Sequence, residues 1–164
     1  MPSRGLAVGL RSRGDAASMP VPSRDDLLQW AESYVALWNA GDKPAWEANW
    51  RRVAPGDFRM HDPVGTPEKR GFQECAADAF DLFQPKVRFR IVPGSLFVCG
   101  NEVAWLLENR FDTGDRETIG RSIETYRFGE DGSVTIRTWY DVPDHDDEVL
   151  GELFQEYLPE GGPQ

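Results

Sequence analysis

The hydrophobic periodicity of the chain changes at Pro85, and this change constrains the fold more than any other feature. Before it, apolar residues recur every three or four positions, as in Leu27, Trp30 and Tyr34, which predicts helices. After it, basic and apolar side chains alternate over residues 86–91, which predicts a half-exposed strand. Helices followed by strands predict an α+β domain.

Three helices are predicted in the N-terminal half by their start and stop signals. Ser23 and Asp26 have the spacing of a capping box at the start of the first helix, and Gly41 ends that helix. Pro44 suits the first turn of a short second helix. The third helix has one apolar side, formed by Phe72, Cys75, Ala79, Phe80 and Phe83.

The C-terminal half predicts a sheet whose strands are joined by short, Gly-containing turns. Further strands are predicted over residues 95–99, 102–112, 118–128 and 133–142. Because three helices cannot cover both faces of this sheet, we expect a curved antiparallel sheet that wraps around them as a cone and leaves a cavity. Residues 146–158 are acidic with apolar residues at helical spacing, which predicts a C-terminal helix.

Composition is typical of one globular domain, which we place at residues 23–160 of the 164. Residues 1–22, rich in Arg, Gly, Ser and Pro, predict a disordered tail. The net charge of −10 argues against nucleic acid and anionic membranes as partners. Cys75 and Cys99 form no disulfide framework, so we expect small core residues in a reducing, cytoplasmic protein.

Asp62 is the first candidate for chemistry, because it ends a short strand and is followed directly by Pro63. Gly65 and Pro67 continue a loop in which few backbone conformations are available. A carboxylate at the end of a strand, held by a stiff loop, is well placed for proton transfer. The alternative is a turn aspartate that caps nearby backbone N–H groups.

Three segments carry a resemblance to a known family: residues 34–42 (YVALWNAGD), 62–65 (DPVG) and 123–128 (IETYRF). They resemble the nuclear transport factor 2-like superfamily and, within it, the Δ5-3-ketosteroid isomerases and their SnoaL-like relatives. The similarity covers roughly residues 24–142. It implies an isomerase or cyclase that moves protons on a small hydrophobic ketone, such as a steroid or polyketide intermediate. It also implies that no cofactor is needed and that the protein is a homodimer.

The resemblance assigns roles to three residues. Asp62 matches the base of the ketosteroid isomerases, and Tyr34 matches the tyrosine that donates a hydrogen bond to the enolate oxygen. Glu124 falls where that family has a neutral aspartic acid. Because glutamate is one methylene longer, its donor group would reach a different position.

Glu124 and the candidate pocket residues have two explanations each. Strand alternation groups Glu124 with Ser122 and Tyr126, so it either faces aromatic rings, protonated or paired, or lies exposed outside the sheet. The candidate pocket residues, for which core packing is an equally good explanation, are Trp38, Asn109, Phe111, Tyr126, Trp139 and Tyr140.

Two other functions remain open. An epoxide hydrolase of the limonene-epoxide type would use Arg110, Asp112 and Asp141 around a water. If Glu124 faces the cavity, the ungapped match to the family turns Asn109 and Phe111 inward as well, and Arg110 and Asp112 then lie on the outer face of the sheet. A bulge near Asp112 would reverse this. A non-catalytic ligand-binding or dimerisation module would leave Asp62 exposed with an ordinary pKa. We expect no metal site, because the chain's two histidines are far apart and it has no closely spaced cysteine pair.

Overall fold

The computed structural model describes residues 20–112, 114 and 117–141 of the chain. Most of the predicted tail at 1–22 and the whole predicted helix at 146–158 lie outside the described residues. In the ranges that are described, no helix is both long and apolar enough to cross a membrane.

The helices form as their termini predict. They are α1 (Arg24–Ala40), α2 (Lys43–Val53), and a π-helical turn (Gln73–Ala77) that continues into α3 (Asp78–Phe83). The capping box is present: the Asp26 N–H donates to Ser23 Oγ at 3.2 Å, and the Ser23 N–H donates to the Asp26 carboxylate at 3.1 Å. Gly41 ends α1 in the left-handed conformation, with φ of 71°. The π-helical turn had no signal in the periodicity.

The sheet contains all the predicted strands. They are β1 (Phe58–His61), β2 (Lys69–Arg70), β3 (Val87–Ile91), β4 (Phe97–Cys99), β5 (Glu102–Asp112), β6 (Glu117–Phe128) and β7 (Val134–Tyr140). Their order is β2-β1-β7-β6-β5-β3, and β4 also pairs with β5. The α+β cone is confirmed, but the sheet is mixed rather than purely antiparallel, because β1 lies parallel to β7. β1 follows α2 in the chain and β7 is the last described strand, so a long stretch of chain connects them. Parallel neighbours need a long connection of this kind, whereas antiparallel neighbours can be joined by a short turn.

The core lies between the helices and the concave face of the sheet, and aromatic rings dominate it. Trp30 of α1 is 0% exposed. Its ring centroid lies 4.8–5.7 Å from those of five other aromatic residues: Tyr34, Trp50, Trp105, Tyr126 and Phe128. The helices therefore rest on the inner residues of β5 and β6, and they cover only part of the concave face.

Two predicted side-chain directions are wrong. Trp139 is 37% exposed and faces away from the helices, because the alternation of β7 turns its neighbours Thr138 and Tyr140 inward. Cys99 is exposed at the end of the short strand β4, whereas Cys75 is buried as expected. The convex face therefore carries a tryptophan that was a candidate for the pocket or the core.

Candidate functional site

A cavity opens between the helices and the concave face of the sheet. The space between its lining residues is about 820 Å³, part of which is open solvent at the mouth. Aromatic side chains form much of its wall. All the predicted catalytic and pocket residues except Trp139 line it, namely Tyr34, Trp38, Asp62, Asn109, Phe111, Glu124, Tyr126 and Tyr140.

Asp62 lies directly after β1, at the cavity wall, and only 2% of its surface is exposed. Two hydrogen bonds restrain the loop after it, one to β7 and one within the loop. The Val64 N–H donates to the Thr138 carbonyl of β7 at 2.8 Å, and the Thr66 hydroxyl donates to the Pro63 carbonyl at 2.7 Å. The exposed aspartate expected of a non-catalytic module is therefore not observed.

Tyr34 reaches the cavity from the buried side of α1 and is 8% exposed. The rings of Trp46 and Trp105 lie 5.4 and 5.5 Å from its own ring. Burial raises the pKa of Tyr34 well above its ordinary value of 10, and the nearby charges of Glu124 and Asp62 raise it further. Tyr34 is therefore a neutral phenol, able to donate a hydrogen bond inside an apolar site.

Glu124 points inward from β6 and is 7% exposed. Trp105 Nε1 donates to its Oε2 at 3.0 Å, the Tyr126 hydroxyl donates to the same oxygen, and Ser122 Oγ donates to Oε1 at 3.1 Å. Burial raises the pKa of Glu124 from 4.5 to about 7, and the charge of Asp62 acts in the same direction. The three hydrogen bonds oppose that rise, because they favour the ionised carboxylate.

This arrangement differs from the one that the resemblance implies for Glu124. Both of its carboxyl oxygens already accept hydrogen bonds from protein donors, so neither is free of protein contacts to meet a substrate oxygen. Trp105 and Ser122 were not predicted as site residues. Trp105 lies directly opposite Glu124 in the pairing of β5 with β6, so its signal was the register of these strands. Ser122 precedes Glu124 by two positions on β6, so its signal was the alternation along that strand.

Helix α2 and the π-helical turn also supply wall residues that the sequence analysis did not name as pocket residues. Trp46 and Trp50 come from α2, and Cys75 comes from the π-helical turn. Burial raises the pKa of the Cys75 thiol to about 12, so it is a neutral wall group at physiological pH.

The residues of the epoxide hydrolase hypothesis are not brought together. Arg110 lies outside the cavity and donates to Glu108 at 3.4 Å and to Glu117 at 3.3 Å. The β5–β6 register continues without a bulge to Asp112, so that residue also stays outside. Asp141 alone of the three lines the cavity. Across the part of the chain that the structure describes, no group of three or more His, Cys, Asp or Glu residues is arranged to hold a metal ion.

The raised pKa of Glu124 predicts a pH-dependent stability. Its folded value of about 7 exceeds the ordinary 4.5, so the folded state binds the proton more tightly than the unfolded chain does. This contribution, about 3 kcal/mol, is fully present below pH 4.5 and is lost as the pH rises through 7. Glu124→Gln should abolish it, so the stability difference between wild type and variant in urea should change by that amount between pH 4.5 and 8. An equal difference at both pH values would contradict this.

The fold and cavity can now be compared with known proteins. A family profile described as "SnoaL-like domain" matches residues 31–137. No curated protein is significantly similar in sequence.

Among solved structures, the chain is similar to SalBIII, described as an epoxide hydrolase/cyclase-like enzyme in pyran ring formation in the polyether salinomycin. The TM-score is 0.56 at 18% identity, over 73% of this chain and 94% of that one. RV0760c from Mycobacterium tuberculosis, in complex with estradiol-17beta-hemisuccinate, gives 0.53 at 20% identity, over 71% and 95%. A SnoaL-like protein from Jannaschia sp. CCS1 gives 0.58 at 14% identity, over 84% and 97%. At these identities the likeness establishes the fold.

Proposed function

The chain belongs to the SnoaL-like family of the nuclear transport factor 2-like superfamily, and from this we propose that its cavity catalyses proton transfer without a cofactor. The reaction would be an isomerisation or cyclisation of a small hydrophobic ketone. The observation that carries the proposal is the placement of Asp62, Tyr34 and Glu124, all buried, around one cavity.

The first step is removal of a proton from the carbon next to the substrate carbonyl by the Asp62 carboxylate. The electron pair of the broken C–H bond moves onto the carbonyl oxygen and forms an enolate. The Tyr34 hydroxyl donates a hydrogen bond to that oxygen, and this bond is strong because the aromatic wall excludes water. In an isomerase Asp62 returns the proton to another carbon. In a cyclase the enolate carbon attacks a second carbonyl carbon of the substrate, the electron pair of that C=O bond moves onto its oxygen, and the oxygen takes up the proton from Asp62.

Glu124 acts through the protein rather than by direct contact with the reacting oxygen. Its carboxyl group accepts the proton of the Tyr126 hydroxyl and so holds that side chain in the wall near Tyr34. Because Tyr126 directs its proton to Glu124, the Tyr34 proton is left for the enolate oxygen. We therefore assign Tyr34 as the catalytic donor and Glu124 as a positioning residue behind it.

The aromatic wall supports a rigid, largely apolar substrate. Flat rings stack on tryptophan, phenylalanine and tyrosine, so fused-ring or folded polyketide compounds suit a wall of this kind. The steroid conjugate bound to RV0760c and the polyether chemistry of SalBIII belong to those proteins. They support the choice of steroid-like and polyketide-like ketones as the compounds to assay here.

Deuterium exchange tests this function without knowledge of the natural substrate. The protein is mixed in D₂O with a panel of ketones that runs from 1-tetralone to steroid enones and polyketide mimics. Loss of the proton signal next to the carbonyl is followed by NMR. We expect exchange faster than in buffer for at least one member of the panel. Exchange at the buffer rate for every member would remove the proton-transfer proposal.

We further propose that the protein forms a homodimer through the convex face of the sheet. Ile119, Ile123 and Trp139 are exposed there by 45%, 52% and 37%, and Ile123 lies directly opposite Trp139. Exposed apolar side chains that adjoin one another are typical of an interface. Paired sheets would bury these side chains and leave the cavity on the other face open.

A charge at the centre of this face should weaken the dimer. Ile123→Asp is expected to raise the dimer dissociation constant at least about tenfold, because it buries an unpaired carboxylate. Sedimentation equilibrium measures this, with Ala36→Asp on the exposed side of α1 as the matched control. A monomeric wild type, or an Ile123→Asp dimer as tight as wild type, would contradict the assignment.

The state of the cysteines bears on the compartment. Cys75 and Cys99 are both free thiols in the structure. Free thiols persist in reducing compartments, and on this ground we propose a cytoplasmic location.

A further inference from the structure

A chain of buried hydrogen bonds leads from Glu124 to the amide of Asn109. Asn109 Nδ2 donates to Ser122 Oγ at 3.1 Å, and Ser122 Oγ donates to Glu124 Oε1 at 3.1 Å. All three side chains are nearly inaccessible, with 7%, 1% and 7% of their surfaces exposed. Asn109 lines the cavity, and because its Nδ2 donates to Ser122, its amide oxygen is the atom available to a ligand.

The chemistry of Trp105 determines which oxygen of Glu124 can carry a proton. An indole N–H can only donate, and it donates to Oε2, which also accepts from the Tyr126 hydroxyl. A proton on Oε2 would require the Tyr126 hydroxyl to reverse beside an indole N–H that cannot, whereas Oε1 meets only the Ser122 hydroxyl, which can reverse. Protonation of Glu124 therefore takes place on Oε1, the oxygen that faces Ser122.

The two protonation states of Glu124 impose opposite donor–acceptor directions on this series of hydrogen bonds. When Glu124 is ionised, Ser122 must donate to it and accept from the Asn109 N–H, so the amide oxygen of Asn109 faces the cavity. When Glu124 is protonated, it donates to Ser122, whose own proton then needs an acceptor. Asn109 is the other side-chain partner of Ser122 among the described residues, so its amide turns and presents its NH₂ group to the cavity.

We propose that Asn109 is a specificity-determining residue whose hydrogen-bonding character toward the ligand is set by the protonation of Glu124. With Glu124 ionised, Asn109 offers an acceptor and selects a hydroxyl group on the ligand. With Glu124 protonated, it offers a donor and selects a carbonyl group. This inference rests on the proposed use of the cavity as the ligand site. It assigns to that site substrates or products whose oxygen group can be either a carbonyl or a hydroxyl.

The groups around Glu124 allow this switch to operate near neutral pH. Its pKa is about 7, raised first by burial. Asp62 faces it from the end of β1, Tyr34 from α1 and Tyr126 from its own strand. Burial holds the pKa of both phenols well above their ordinary value, so neither ionises in this range.

The test compares two ligands that differ only in the oxygen group, 1-tetralone and 1-tetralol, by calorimetric titration at pH 5.5 and 8.5. We expect the affinity ratio of alcohol to ketone to rise about tenfold between these pH values in the wild type, because a buried donor or acceptor that faces the wrong partner is costly. Glu124→Gln should keep the low-pH ratio at both pH values, because its amide NH₂ must donate to Ser122. Ser122→Ala should show no pH-dependent change in the ratio.

Each result has a distinct meaning. An unchanged ratio in the wild type, or an equal change in Ser122→Ala, overturns the switch and leaves the proposed function intact. Binding of neither compound overturns the switch together with the ligand site. A pH-dependent ratio without any deuterium exchange removes the proposed function alone. The ¹⁵N-labelled side-chain amide of Asn109, assigned with Asn109→Asp, gives a second readout, because its NMR signals must move with the titration of Glu124.

Discussion

Replacing Asp62 with asparagine is expected to slow deuterium exchange on an active ketone by roughly 10²–10⁴-fold, the usual worth of a positioned general base. Asparagine fills nearly the same space and still forms hydrogen bonds, but it cannot accept a proton at neutral pH. The turnover number should fall much more than the Michaelis constant rises, because the lost interaction belongs to the transition state.

The matched control is Asp57→Asn. Asp57 directly precedes β1, at the other end of that strand from Asp62, and its side chain is exposed. The two variants make the same change of charge at the two ends of β1, so a general electrostatic effect would slow both. An Asp62→Asn protein that is folded and within threefold of wild type would show that Asp62 is not the base.

Replacing Trp30 with alanine is expected to destabilise the protein by about 3–5 kcal/mol, the usual cost of truncating a fully buried aromatic residue. Its ring contacts five other aromatic rings, so the space it leaves cannot be closed by the movement of one neighbour. Urea unfolding followed by circular dichroism measures the loss.

Trp30→Phe separates packing from polarity at the same position. The indole N–H of Trp30 is buried and has no hydrogen-bond partner among the described residues. Phenylalanine keeps much of the ring and removes this unsatisfied donor, so its cost should be well below that of alanine. A loss of less than about 1 kcal/mol in Trp30→Ala would mean that the aromatic core adjusts far more freely than close packing allows.

Local patterns in the sequence were sufficient to predict most of the fold. The capping box at Ser23 and the period-two pattern of β6 are signals carried within a few residues. They predicted the start of α1 and placed Glu124 on one face with Ser122 and Tyr126, but they left open whether that face is the inner one. The parallel pairing of β1 with β7 had no such signal, because the two strands are far apart in the chain.

The errors at the site have physical reasons. Trp139 and Tyr140 were both candidates for the pocket or the core, but adjacent residues of a regular strand point to opposite faces, so only one of them could line the cavity. The role of Glu124 was inferred from a family in which a shorter acid stands at that position. The structure surrounds its carboxyl group with three donors, and one of these, Trp105, becomes apparent only when β5 and β6 are set in register.

The parallel pairing of β1 with β7 also governs the order in which a nascent chain can complete its site. Asp62 and the Pro63 loop leave the ribosome early, but Thr138, whose carbonyl fastens that loop, is among the last described residues to be synthesised. Helices α1 and α2 can form and meet while translation continues. The loop that carries Asp62 is therefore held in place only after nearly the whole described domain has emerged, so a translation product that stops before β7 has the helices but lacks this contact.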